Sequence, residues 1–162
     1  MREIPLRCED SGTEFRNRRE TEQEAEENHA VVEAHLQWIA NENEPVLDDH
    51  RTLRVVALGE GEYLVDLAWE LTPTDRKVTF RSDDVHYAWP YVCMHSQFSG
   101  AKGGTITNDQ GETGEAGTHG KVAKWVDYSN TVEGKTEGLA LFIYPDDAEH
   151  RWLTREYGTF GP

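Results

Sequence analysis

Cysteine, lysine and long apolar runs are what this 162-residue sequence has least of. Its two cysteines, Cys8 and Cys93, stand far apart and in no CxxC or other metal-ligand spacing. That excludes a disulfide-dense scaffold and a thiolate metal centre, and two free thiols are expected in preference to a lone disulfide. No stretch approaches the roughly 18 apolar residues of a membrane-spanning helix. The opening MREIPLRCEDSG carries no apolar signal core, so a cytoplasmic protein without a membrane partner is the expectation. Lysine contributes 5 and arginine 11 of the 16 cations, against 31 carboxylates, a formal net charge of −15. Such a field repels phosphate backbones and anionic lipids, which excludes nucleic acid as a partner. An acidic, lysine-poor surface also suggests adaptation to high salt, where carboxylate repulsion is screened. The P-loop, the strand-linked G-x-G-x-x-G, the G-x-S-x-G elbow and H-E-x-x-H are all missing, so nucleotide-dependent and standard hydrolase mechanisms lose support and no cofactor is named.

What is present is period-two patterning. Tyr63, Val65, Leu67, Trp69 and Leu71 recur at every second position after a GEGE turn, and Leu47, Leu53, Val55 and Ala57 share a face before it. HAVVEAHLQWIA from His29 and KVTFR from Lys77 read as further strands. Lys121 to Ser129 sets Val122, Lys124, Val126 and Tyr128 on one face and Ala123, Trp125 and Asp127 on the other. Asn130 to Thr136 supplies a polar turn, and Gly138 to Tyr144 is an apolar run suited to the centre of a sheet. Arg151 to Phe160 reads as a closing strand. These patterns predict an all-β, mainly antiparallel fold, a β-sandwich over residues 29–162. Residues 1–28 are expected to be a polar arm or short helix, because TEFRNRRETEQEAEEN has almost nothing to bury.

Chemistry-bearing residues gather in SDDVHYAWPYVCMHSQFS, which precedes a glycine-rich loop over Gly100 to Gly120. Asp84, His86 and His95, with His119 at the loop's end, are the candidate catalytic acids and bases. Tyr87, Trp89 and Tyr91 supply a stacking wall of the kind that sugar-handling sites require. The same aromatics also suit a core, and the spacing of His86 and His95 is not a metal spacing, so no metal site is assigned. Lys124, Asp127 and Tyr128 set a carboxylate and a phenol near His119 or form a cross-strand pair. Asp146, Asp147, Glu149 and His150 read as a solvated acidic turn.

One longer pattern carries a resemblance. Gly120, Lys121, Ala123, Trp125, Asp127, Tyr128, Gly134, Lys135, Thr136, Gly138 and Ala140, then Trp152, Arg155, Tyr157, Gly158 and Phe160, follow in order the G-K-x-A-x-W-x-D-Y and W-x-x-R-x-Y-G-x-F stretches of the PmoA-like proteins. The chain resembles that family over roughly residues 29 to 160. The resemblance implies a β-sandwich protein, often encoded among sugar oxidoreductases and carbohydrate-degrading enzymes, and transfers no catalytic residue. The methane-oxygenase activity that the family label evokes finds no spanning segment or copper cluster here. The histidine-rich DHPHHR-like region of the family has no counterpart, and Ile143, Tyr144 and Pro145 stand where its D-H-P occurs. A carbohydrate ligand is therefore the expected partner. A non-catalytic binding module, and a domain that pairs with its own copy through a sheet edge, are the competing expectations.

Overall fold

The structure, a computed structural model, describes residues 2–5, 14–40, 43–81, 90–147 and 149–162, with side chains from residue 23 onward apart from that of Arg81. It is all-β and mainly antiparallel, and divides into two compact units, Met1–Asp83 and Asp84–Pro162.

The first unit is built on an antiparallel sheet of four long strands in the order β2 (Glu14–Ala25), β3 (His29–Ala40), β4 (Glu44–Gly59) and β5 (Glu62–Pro73). A parallel pair, β1 (Arg2–Pro5) and β6 (Val78–Arg81), accompanies it. Leu53 faces Leu67, Val55 faces Val65 and Ala57 faces Tyr63 across β4 and β5, as the alternation requires. Val46 is the extra residue of a bulge, because Trp38 pairs with Leu47 and Ile39 with Pro45. A proline, which cannot donate to a ladder, is tolerated at such a break. Trp38, Val46 and Leu47 form the core here, packed by Ala40, Leu71 and Val78. The buried Asp49 carboxylate accepts the Trp38 indole N–H at 2.9 Å and the Arg51 guanidinium at 2.7 Å.

Glu14–Ala25 corrects the expectation of an arm or helix. It is a strand, paired with β3 from Glu14 opposite Ile39 to Ala25 opposite Ala30. An edge strand has to supply backbone hydrogen bonds to one neighbour only, so its side chains can remain charged, and the pairing overrides the missing apolar period.

The second unit holds β7 (Val92–Cys93), β8 (Thr105–Asn108), β9 (Trp125–Val132), β10 (Lys135–Phe142), β11 (Leu153–Arg155) and β12 (Thr159–Gly161), with one short helix, α1 (Gly114–Thr118). They make two three-stranded sheets, β8-β9-β10 and β7-β12-β11, that share one core. Ile106, Val126 and Tyr128 of the first sheet meet Phe160 of the second, with Trp152 and Ala123 between, and the Tyr128 and Phe160 rings lie edge to face at 5.7 Å. Both large amphipathic rings find partners for their polar ends, as burial demands. Trp152 Nε1 donates to the Ala123 carbonyl at 2.8 Å, and Tyr128 Oη to the Glu156 carbonyl at 2.7 Å.

Three expectations shift. The strand anticipated over Lys121 to Ser129 begins at Trp125 and continues to Val132, and a two-residue Glu133–Gly134 connection replaces the longer turn. The run Gly138 to Tyr144 belongs to β10 only as far as Phe142, and β10 lies at the sheet's edge and not its centre. The closing strand is a hairpin of β11 and β12 about Glu156–Gly158. The glycine-rich stretch is likewise ordered, as two single 3₁₀ turns, β8 and α1. Gly104 serves close packing there, since a Cβ would sit 1.6 Å from the Phe98 carbonyl oxygen, while Gly103, Gly111, Gly114 and Gly120 take positive φ.

Candidate functional site

Asp84, His86, Tyr87 and Trp89 lie outside the described residues. Tyr91 is exposed. His95 is exposed at the start of the 3₁₀ turn Ser96–Phe98, where its Nδ1 accepts the Gln97 N–H at 3.3 Å. His119 ends α1, and its Nδ1 accepts the Thr154 N–H at 3.4 Å. In both rings Nδ1 is thus engaged by a backbone N–H. Asp127 and Tyr128 do not share a surface. Val126, Tyr128 and Asn130 point inward, so Tyr128 is buried and its phenol held above the ordinary value by that burial, while Asp127 faces out. Asp146, Asp147, Glu149 and His150 are exposed.

Most polar groups of this unit brace the backbone. Glu115 accepts the Glu156 N–H at 2.9 Å and meets the Arg155 guanidinium at 3.3 Å. The Thr118 and Thr154 hydroxyls bond to each other at 2.8 Å. Asn108 holds Glu112 through both ends of its amide. Asn130 donates to the Gln97 and Lys102 carbonyls, which ties the glycine-rich stretch to β9. Among the described residues no group of three or more histidine, cysteine and acidic side chains is placed to hold a metal.

What remains available is the outer face of β8-β9-β10. Alternation places Thr105 and Thr107 of β8, Trp125, Asp127, Ser129 and Thr131 of β9, and Thr136, Gly138, Ala140 and Phe142 of β10 on one surface. The inward partners Ile106, Val126, Tyr128, Leu139 and Leu141 confirm the assignment by packing on the core. Trp125 and Phe142 are direct cross-strand partners with ring centres 6.4 Å apart, and Phe142 is 69% exposed. Asp127 lies two residues along, opposite Ala140 and Thr107, and accepts the Ser129 hydroxyl at 2.8 Å. The floor beside it is flat because Gly138, opposite Ser129, has no side chain, and a Cβ there would lie 2.7 Å from that of Ser129. Same-face residues are about 7 Å apart along a strand and neighbouring strands about 4.8 Å apart. The surface is therefore an aromatic platform continued by a carboxylate and a row of hydroxyls.

The sequence pattern had put Trp125 and Asp127 on one face. Phe142 escaped it, because an unbroken apolar run reads as buried on both sides.

The first unit carries two other features. His35 and His50 stack across β3 and β4, ring centres 4.2 Å apart, with Glu33 3.9 Å from His50 Nε2. At the end of the same sheet Ala25, Ala30, Val55, Ala57 and Tyr63 line a shallow apolar hollow of about 180 Å³. That is below the roughly 300–1,000 Å³ of a usual ligand cavity.

Among the described residues no helix is long and apolar enough to cross a membrane. Comparison with curated proteins and with solved structures found no match. The sequence model of one family covers residues 6–162, nearly the whole chain, and on that ground the chain belongs to the family of unknown function DUF6807.

Proposed function

We propose that the second unit binds neutral carbohydrate on the outer face of β8-β9-β10 and performs no chemistry on it. The observation that carries this is the pair of half-buried Trp125 and exposed Phe142 beside Asp127 and Ser129. Sugar rings present apolar C–H faces that stack on aromatic rings, and their hydroxyl groups need a few fixed polar partners. The Asp127 carboxylate accepts from sugar hydroxyls, and the Thr105, Thr107, Ser129 and Thr131 side chains donate or accept along the same surface. The net charge of −15 selects against uronic and sulfated glycans, whose anions the field repels. The resemblance of Gly120 to Phe160 to PmoA-like proteins, which are often encoded among carbohydrate enzymes, is a second support.

Binding is preferred to turnover because the face is open and water-exposed, whereas acid–base catalysis works best in a cleft that shifts proton affinities. His95 and His119 hold backbone N–H groups. The test is calorimetric titration with a panel of neutral and acidic oligosaccharides. Neutral ligands are expected to bind the unaltered protein, and Trp125→Ala or Phe142→Ala to weaken them about tenfold, close to 1.4 kcal/mol. Full affinity in both variants, or no neutral ligand in the panel, overturns the proposal.

A further inference from the structure

Strand β5 is an edge of the first unit's sheet, and among the described residues it pairs with β4 alone. At 12 residues it is about twice the common strand length. Its large apolar side chains stand in solvent: Tyr63 is 66% exposed, Leu64 53%, Val65 52% and Leu67 48%. Leu64 projects from the face opposite the other three, among Glu62, Asp66 and Glu70, so one face of the edge is apolar and the other mixed. The far edge of the same sheet is protected. Strand β2 reads EFRNRRETEQEA, dense in charge, and its register with β3 slips between Asn17 and Thr21. Charge and irregularity of that kind keep an edge from recruiting another strand. Strand β5 has no cation and no proline before Pro73.

We propose that β5 pairs antiparallel with β5 of a second copy of this chain, about a two-fold axis at Leu67. Charge and overlap together select that register, because axes at Val65 or Trp69 also keep the carboxylates apart but pair fewer of the strand's residues. Centred there, Leu67 faces its own counterpart, Val65 faces Trp69 and Tyr63 faces Leu71, all on the apolar face. On the other face Asp66 meets Ala68, Leu64 meets Glu70 and Glu62 meets Thr72. No carboxylate then stands directly opposite another. Moving the axis to Asp66 sets that residue against itself and Glu62 against Glu70, and moving it to Ala68 sets Asp66 against Glu70. Like charges directly opposite one another destabilise a sheet. The axis runs perpendicular to the sheet, so the apolar faces of the two copies stay on the same side and the interface is self-complementary. The charge of −15 on each copy opposes the approach, and salt screens it.

The test is molar mass in solution, by light scattering over a range of protein concentrations at low and at molar salt. The expected mass rises to twice that of one chain, at lower concentration in molar salt. Leu67→Lys places two ammonium groups at the axis and returns the mass to that of one chain, with an unchanged circular dichroism spectrum. Register is read by cross-linking in a Cys8→Ser, Cys93→Ser background. Leu67→Cys forms a covalent pair on oxidation, whereas Leu64→Cys, far from its own counterpart, does not. A single-chain mass under every condition, a double mass that survives Leu67→Lys, or equal cross-linking at both cysteines overturns the proposal.

Discussion

The indole N–H of Trp38 on β3 donates to the carboxylate of Asp49 on β4 at 2.9 Å, at the buried end of a sheet whose other end is open to solvent. Asp49 is itself about 1% exposed and takes the Arg51 guanidinium on its second side. A carboxylate so placed organises the core. Asp49→Ala leaves a buried N–H without its acceptor, and the expected cost is about 1–3 kcal/mol. Asp49→Asn keeps one acceptor oxygen and should lose less. Chemical denaturation of the variants, read by tryptophan fluorescence, checks the order.

Gly138→Ala is expected to destabilise the second unit by about 1–3 kcal/mol, the range for forcing atoms into a filled space. The added Cβ would stand 2.7 Å from both the Ser129 Cβ and the Tyr128 carbonyl oxygen, so the β9–β10 pair must separate. Thermal unfolding measures the loss. An alanine that leaves the midpoint unmoved would show that the strands have room to part.

The Tyr128 phenol is held above its ordinary 10.0 by burial, so the unfolded chain loses that proton first as pH rises. Its contribution to stability is therefore intact below pH 10.0 and falls away as pH climbs from there through the folded value. Denaturation across the alkaline range should show a decline that Tyr128→Phe lacks. The variant also loses the hydroxyl's bond to the Glu156 carbonyl, at a cost of about 1 kcal/mol at neutral pH.

With 31 carboxylates against 16 cations, the chain repels itself at low ionic strength. Unfolding midpoints should rise from low to molar sodium chloride, as the screening length drops from about 30 Å at 0.01 M to about 3 Å at 1 M. A midpoint independent of salt would contradict the halophilic reading of the composition.

The parts of the fold legible in the sequence were those where large apolar residues recur at every second position. Tyr63 to Leu71 announced β5, and the GEGE turn before it marked its hairpin with β4. Strand β2 was illegible because an edge strand is held by its backbone, which leaves no apolar period to read. Strand β10 was misplaced to the sheet's centre because Ala140 and Phe142 are apolar while their face is open. The candidate surface was half visible. Trp125 and Asp127 followed from alternation, but Phe142 joins them only through a register that brings it opposite Trp125, and register is a long-range fact. His95 and His119 looked reactive in sequence because a histidine that bonds a neighbouring backbone N–H carries no mark of doing so.

The charged, slipped strand β2 also sets a ceiling on assembly. Joining two copies through β5 yields one sheet of double width with β2 at both margins, and neither margin offers a template for a third chain. In the pairing proposed above, growth would stop at two and the apolar strand would be closed off from further chains.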